Sequence, residues 1–184
     1  MNRKLQIGVM GSASDIKYTK KSEKFANELG KIIAQSGNIL VYGAEKDCCS
    51  LSTICAKSAK DNGGITLGVT YGKTKDCWNK EEYMPTIIFP CGLERGGGRE
   101  FSLVLACDVI IAIGGGSGTL NEIAVAYQAN IPIVVIQTFK GWAKKLANKF
   151  LDDRNRLKCE SAEEPQEALN KAIKLVEELS NNNI

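Results

Sequence analysis

The chain has 184 residues, of which 43% are hydrophobic and 24% charged, a composition that is typical of a globular protein and excludes an intrinsically disordered one. The net charge is only +3 and the basic residues are spread along the chain, so neither nucleic acid nor a membrane surface is an expected partner. Residues 1–11 are interrupted by glycine too early for a secretion signal and no apolar run reaches bilayer length, so we expect one cytoplasmic domain over residues 1–184.

Strand-like and helix-like segments alternate along the chain. Short apolar runs predict strands at residues 5–11, 38–43, 65–70, 86–90, 108–114 and 131–137. Apolar residues at helical spacing predict helices at 18–36, 50–61, 99–107 and 119–129. Two more helices are predicted to close the chain, the last of them beginning near Pro165. Residues 71–85 show no period and predict a long connection.

Continuous apolar strands that alternate with helices are typical of a parallel sheet covered on both faces. The predicted fold class is therefore α/β, a single-domain Rossmann-like three-layer α/β/α sandwich with a mostly parallel sheet. Ligands of such sheets bind beyond the carboxyl ends of the strands. Functional residues are therefore expected in the turns that follow the strands.

The chain has seven cysteines and no histidine. The lack of histidine excludes Ser-His-Asp and Cys-His catalysis. Because no metal-ligand spacing is present either, we expect no metal site. The adjacent pair Cys48 and Cys49 leaves open a redox or metal-handling function, but adjacent cysteines are poor chelators and burial as small hydrophobic residues is the simpler interpretation.

Glycine-bearing turns follow three of the predicted strands. In the turn Gly114 to Gly118 the backbone can approach a ligand closely, and the free N–H groups at the start of the next helix form an anion site. The residues predicted to bind a nucleotide or its phosphate are Gly11, Ser12, Gly43, Gly115, Gly116, Ser117, Gly118 and Thr119. A tight connection between strand and helix without any ligand would explain the same glycines.

Arg99 and Glu122 are the candidate catalytic residues. A helix that precedes a parallel strand begins at the edge where that strand ends, so Arg99 should lie near the glycine turn and could bind a phosphate or carboxylate. Pairing with Glu94 or Glu100 in solvent is the alternative for this arginine. Glu122 could contact the sugar of a bound ligand, or it could form a capping box with Thr119.

The segment RGGGREFSLVLACDVIIAIGGGSGTLNEIAVAYQ resembles the proteins related to the plant Lonely Guy enzymes and the molybdenum-cofactor carrier proteins that share their fold. The family signature is an arginine, a helix, a strand, and then (Pro/Gly)-Gly-Gly-x-Gly-Thr-x-x-Glu. Here it corresponds to Arg99 and to residues 114–122. Gly114 stands where the hydrolases usually have proline, which makes the sequence more similar to the carrier branch. Weaker similarity covers most of residues 5–137.

The resemblance implies a homodimer whose ligand is a phosphorylated small molecule, either a nucleoside monophosphate or a pterin-type cofactor. In the hydrolase branch Arg99 and Glu122 would cleave the N-glycosidic bond of a nucleoside 5′-monophosphate. In the carrier branch the ligand would be held, or sensed, without turnover. No pyridoxal-phosphate site can be identified, so no resident cofactor is expected. Apolar helix stripes at 123–127 and 169–179 also favour a dimer.

One turn departs from the family pattern. The family usually has a glycine-rich run after the second strand, whereas this chain has Gly43-Ala44-Glu45-Lys46-Asp47-Cys48-Cys49. Side chains replace open backbone there, and Glu45 and Asp47 are expected to repel a nearby phosphate.

Overall fold

A computed structural model of the chain describes residues 3–182. Its strands are β1 (Gln6–Gly11), β2 (Ile39–Gly43), β3 (Ile65–Thr70), β4 (Ile87–Pro90), β5 (Val109–Ile113), β6 (Ile133–Ile136) and β7 (Cys159–Ala162). Its helices are α1 (Lys20–Gln35), α2 (Leu51–Asp61), α3 (Lys80–Tyr83), α4 (Arg99–Leu105), α5 (Ser117–Gln128), α6 (Trp142–Leu146) and α7 (Pro165–Asn182). A short 3₁₀ helix, Ser14–Ile16, follows β1.

The strands form one sheet in the order β4-β3-β2-β1-β5-β6-β7, and all pairings between neighbouring strands are parallel. This arrangement confirms the predicted α/β Rossmann-like fold class. The strand order reverses between β1 and β5, which pair from Ile7 with Val109 to Gly11 with Ile113. The carboxyl ends of these two strands lie side by side, at the point where open α/β sheets bind ligands.

Helices cover both faces of the sheet. One hydrophobic cluster joins α1, α2 and α7 to the sheet, and a second joins α4, α5 and α6 to the opposite face. All five residues of β5 are fully buried between the two clusters, which is why this strand is continuously apolar. The helix stripes at 123–127 and 169–179 pack largely into these clusters within one chain. These two stripes therefore do not supply the exposed apolar surface for a dimer that was expected from the sequence.

One strand and one α-helix were missed by the sequence patterns. Strand β7 has only four residues, CESA, which carry no strand-like apolar run, and it forms because β6 provides a parallel partner for it. Helix α3 is a single turn inside the predicted connection 71–85. None of the helices within residues 3–182 combines the length and apolarity needed to cross a membrane. Residues 1–2 and 183–184 of the predicted domain lie outside the described part of the chain.

Candidate functional site

A cavity of about 370 Å³ lies over the carboxyl ends of β1 and β5. Segments that follow five strands, β1 to β5, contribute to its lining, because parallel strands all end at this edge. The 3₁₀ helix after β1 forms one side, and the first turn of α5 forms another. The turn after β2, the residue after β3 and the start of α4 complete it with charged side chains.

The glycine turn between β5 and α5 is held in a conformation that requires glycine. Gly114 and Gly115 have φ angles of 66° and 89°, in the left-handed region that residues with a side chain rarely adopt. A Cβ atom on Gly115 would also overlap the side chain of Thr119. The N–H of Gly115 donates to the Ser12 hydroxyl oxygen over 2.7 Å. Ser12 therefore fixes the turn from beneath.

The first turn of α5 presents unengaged N–H groups to the cavity. The helix begins at Ser117, and Gly116 in the N-cap position has no side chain to cap it. Within residues 3–182, the backbone N–H groups of Ser117, Gly118 and Thr119 have no hydrogen-bond acceptor. Such a helix start attracts an anion through these donors and the helix dipole. Because the N-cap is Gly116, the alternative considered for Glu122, a capping box with Thr119, does not form.

Arg99 is buried under the cavity, with 4% of its side chain exposed. Its guanidinium lies against Gly43, where a Cβ atom would overlap Nη1. Nη2 donates to the Tyr71 hydroxyl and to Glu45 Oε1, each over 2.7 Å. The Glu94 and Glu100 pairings considered for Arg99 are therefore replaced by a pairing with Glu45. The lack of a side chain at Gly43 leaves the space that the Arg99 guanidinium occupies.

Glu45 joins the charged groups of the site into one network. Its Oε2 accepts from Arg95 Nη2 over 2.6 Å while Oε1 accepts from Arg99, and the Tyr71 hydroxyl contacts both oxygens at 2.7 and 2.8 Å. The negative charge expected to repel a phosphate is thus compensated by two arginines. Asp47, the other acidic residue of this turn, is exposed and does not line the cavity.

Some polar atoms at the base of the site have no partner in the described part of the chain. Arg99 Nε and Nη1 and Glu100 Oε2 are buried, and no hydrogen bond reaches them from residues 3–182. Buried donors of this kind are normally satisfied by protein, water or ligand. The Arg99 guanidinium therefore keeps two buried donors without an acceptor among the described residues, although Glu45 and Tyr71 already accept from Nη2.

Glu122 is buried beside this network, and burial raises the pKa of its carboxyl to about 8. The Arg99 charge opposes that increase in pKa, whereas the nearby Glu100 and Glu45 carboxylates add to it. At neutral pH the Glu122 carboxyl is mostly protonated. It can then donate a hydrogen bond, and only the small ionised fraction carries the negative charge that would stabilise a cationic transition state.

The Glu122 carboxyl makes the stability of the protein depend on pH. Its pKa is about 8 in the folded chain against 4.5 in the unfolded chain, so between these values the folded state holds a proton that the unfolded state has lost. We expect Glu122→Gln to gain stability over wild type from pH 5 to 8, by up to about 1.4 kcal/mol per pH unit. Urea unfolding at several pH values measures this difference. The exposed Glu177→Gln is the control, and a constant difference for Glu122→Gln would contradict the assignment.

The structure separates the predicted residues into two groups. Those that line the cavity are Gly11, Arg99, Gly116, Ser117, Gly118, Thr119 and Glu122. Those that support it from outside the lining are Ser12, Gly43 and Gly115. Tyr71 and Arg95 also line the cavity, although the sequence did not indicate them as site residues. Tyr71 directly follows β3 in the sequence. Because ligands of parallel sheets bind beyond the carboxyl ends of the strands, this position could have identified it.

The chain is similar to known proteins over most of its length. The sequence model of the SLOG cluster4 family matches residues 4–169 of the chain. An uncharacterised protein of Archaeoglobus fulgidus is 31% identical over 122 residues, which are 66% of this chain and 73% of that protein.

Solved structures that share the fold over nearly the full chain include two molybdenum-cofactor proteins. The molybdenum cofactor carrier protein of Chlamydomonas reinhardtii is 28% identical with a TM-score of 0.73, over 95% of this chain and 99% of that one. The molybdenum cofactor binding protein of Rippkaea orientalis is 26% identical with a TM-score of 0.76, over 95% and 98%.

Proposed function

Because the chain belongs to the SLOG cluster4 family, we propose that it is a carrier that holds a phosphorylated small molecule of the pterin type in the cavity above β1 and β5. The family match confirms the resemblance inferred from residues 95–128. The observation that carries the proposal is the first turn of α5, whose unengaged N–H groups meet the cavity. A phosphate is the group such a turn binds best.

The residues of the cavity fit such a ligand. Its volume of about 370 Å³ is sufficient for a single ring system with a phosphate. The phosphate would accept from the N–H groups of Ser117, Gly118 and Thr119, and the positive charge of Arg99, which lines the same cavity, would attract it. Within residues 3–182 no cluster of His, Cys, Asp and Glu is arranged to hold a metal ion, so the proposal assigns only the organic part of the cargo to this chain.

Hydrolysis of nucleoside 5′-monophosphates is the second candidate function. It is favoured by the proximity of Arg99 to Glu122, the two residues that the hydrolase signature would make catalytic. Two features favour the carrier over it. Glu122 is mostly uncharged at neutral pH, and Arg99 is already paired with Glu45. A hydrolase of this kind needs a carboxylate that stabilises positive charge at the reacting carbon.

We expect no release of free base when the purified protein is incubated with AMP, GMP, CMP or UMP, because the proposed carrier holds its ligand without turnover and the Glu122 carboxyl is mostly uncharged at neutral pH. Chromatography of the products measures base release, and native mass spectrometry of the same sample detects a retained ligand. Release that disappears in Glu122→Gln would establish the hydrolase instead of the carrier. Release that persists in Glu122→Gln would contradict both the carrier proposal and a catalytic role for Glu122.

The exposed apolar side chains indicate where two copies would meet. Phe101 and Leu105 lie one turn apart on α4 and are 49% and 61% exposed. Ile87 and Phe89, on the edge strand β4, are 49% and 45% exposed. They lie on the same side of the sheet as α4, since the β3 residues paired with them belong to the α4 cluster. An exposed patch of this kind marks an interaction surface. We propose that it forms the homodimer interface.

We expect the double variant Phe101→Glu/Leu105→Lys to sediment as a monomer while wild type sediments as a dimer, because burial of charge in an apolar interface opposes association. Analytical ultracentrifugation at micromolar concentration measures both. Phe150→Lys changes another exposed aromatic residue and is the control, which should remain dimeric. A wild-type monomer, or a dimer in the double variant, would contradict this interface.

A further inference from the structure

A second cavity, of about 610 Å³, lies next to the first at the same edge of the sheet. It is bounded by the start of α1 and by the loop between β6 and α6. Ile16, at the end of the 3₁₀ helix, lines both cavities and separates them. Of the predicted phosphate-binding residues only Ser12 lines this second space, and of the signature residues only Gly114 does, so the predicted site does not account for it.

The two cavities differ in charge. Three lysines, Lys17, Lys21 and Lys140, line the second cavity, and none of the described residues that line it is acidic. The first cavity is lined by two arginines and four carboxyl groups. A ligand with a single phosphate is compatible with the first cavity, whose α5 N–H groups are the unengaged donors. A further anionic group is attracted more strongly to the lysines, because opposite charges attract and no carboxylate offsets them there.

The floor of the second cavity is apolar. Leu51 is only 1% exposed, and Phe139 is held by an edge-on contact with Phe25 at a ring separation of 5.4 Å. A fixed aromatic side chain beside an aliphatic one favours a flat ring as the occupant. The hydroxyl groups of Thr19 and Ser22 bond to each other at the wall, so they are oriented by the capping box of α1.

The glycine turn connects the two cavities over a short distance. Gly114 lines the second cavity and Gly116 lines the first. Two residues of backbone span at most about 7 Å. One ligand can therefore bind a phosphate at α5, pass over Ile16 and continue into the lysine-lined cavity.

We propose that the lysine-lined cavity is a second subsite for the same ligand, and that it takes a flat ring together with a second anionic group. This inference rests on the proposed function only for the position of the first phosphate. It restricts the ligand to an extended molecule with two separate anionic groups, such as a bisphosphorylated nucleoside or a ring compound with a phosphate and a carboxylate.

The test compares AMP with adenosine 3′,5′-bisphosphate, which adds one phosphate across the ribose. By calorimetry, wild type should bind the bisphosphate at least about tenfold more tightly than AMP. The variant Lys17→Gln/Lys21→Gln/Lys140→Gln should lose this preference and retain its affinity for AMP. The control Lys4→Gln/Lys60→Gln/Lys149→Gln has the same net charge, with the changes at exposed lysines outside both cavities, and should retain the preference.

Each outcome has a distinct meaning. Equal affinity of wild type for the two compounds, including undetectable binding of both, would overturn the second subsite. A preference that survives in the Lys17/Lys21/Lys140 variant, or that is also lost in the control, would overturn it as well. Binding of the bisphosphate that depends on these lysines, with no binding of AMP, would support the second subsite and contradict the phosphate position at α5.

Discussion

Gly118→Val is expected to weaken the binding of a phosphorylated ligand by at least about 100-fold, a loss of about 2.7 kcal/mol. Gly118 lines the cavity in the first turn of α5, and a Cβ atom there would meet no protein atom within 4 Å. The valine side chain would therefore occupy the open space in front of the helix start, where the phosphate is proposed to lie. Calorimetric titration with the ligand retained by the purified protein, or with AMP, measures the loss.

The fold should survive this change. Valine is a better helix residue than glycine, so the melting temperature should stay equal or increase. Gly118→Ala should show a smaller loss of affinity because its side chain is shorter. Leu120→Val places a β-branched residue in the same helix outside the cavity lining and should bind as wild type does. Unchanged affinity in Gly118→Val would refute the phosphate position at α5.

Glu45→Ala is expected to lower the free energy of unfolding by about 3 kcal/mol, because it leaves the Arg99 guanidinium buried without its anionic partner. The Tyr71 hydroxyl remains as a neutral acceptor for Arg99, but it cannot compensate the charge. Denaturation by urea measures the loss. Asp47→Ala removes an exposed carboxylate two residues away and should change stability by less than about 0.5 kcal/mol.

A bound anion should restore part of this stability. In Glu45→Ala the Arg99 guanidinium is free to pair with a ligand, so inorganic phosphate should raise the melting temperature of this variant more than that of wild type. An equal increase in both proteins would show that Arg99 does not contact the anion. A loss of stability no greater than that of Asp47→Ala would show that the Glu45 network contributes little to the fold.

The sequence indicated most of the fold because its strands and helices carry their own periodicity. β5 is apolar at every position and α1 has one apolar face, so both were predicted nearly to their observed bounds. β7 and α3 lack such signals. β7 forms because β6 pairs with it, and that pairing joins residues that are distant in the chain. Periodicity within a segment cannot report such a contact.

At the site, the sequence by itself determined the glycine turn, the helix start that follows it, and the positions of Arg99 and Glu122 beside that turn. These features follow from local rules, since a strand, glycines and a helix in that order create an anion site. Gly116 looked as important as Gly118 by the same rules. In the structure a Cβ atom on Gly116 meets Ile16, whereas one on Gly118 enters open space.

Only the tertiary structure decided what the charged groups do. It pairs Glu45 with Arg99, which are 54 residues apart in the chain, and so converts an expected repulsion of phosphate into a support for the arginine. It also buries Glu122 deeply enough to raise the pKa of its carboxyl to about 8. The energy of a charge depends on its solvation and on the charges around it, and folding sets both by bringing distant segments together.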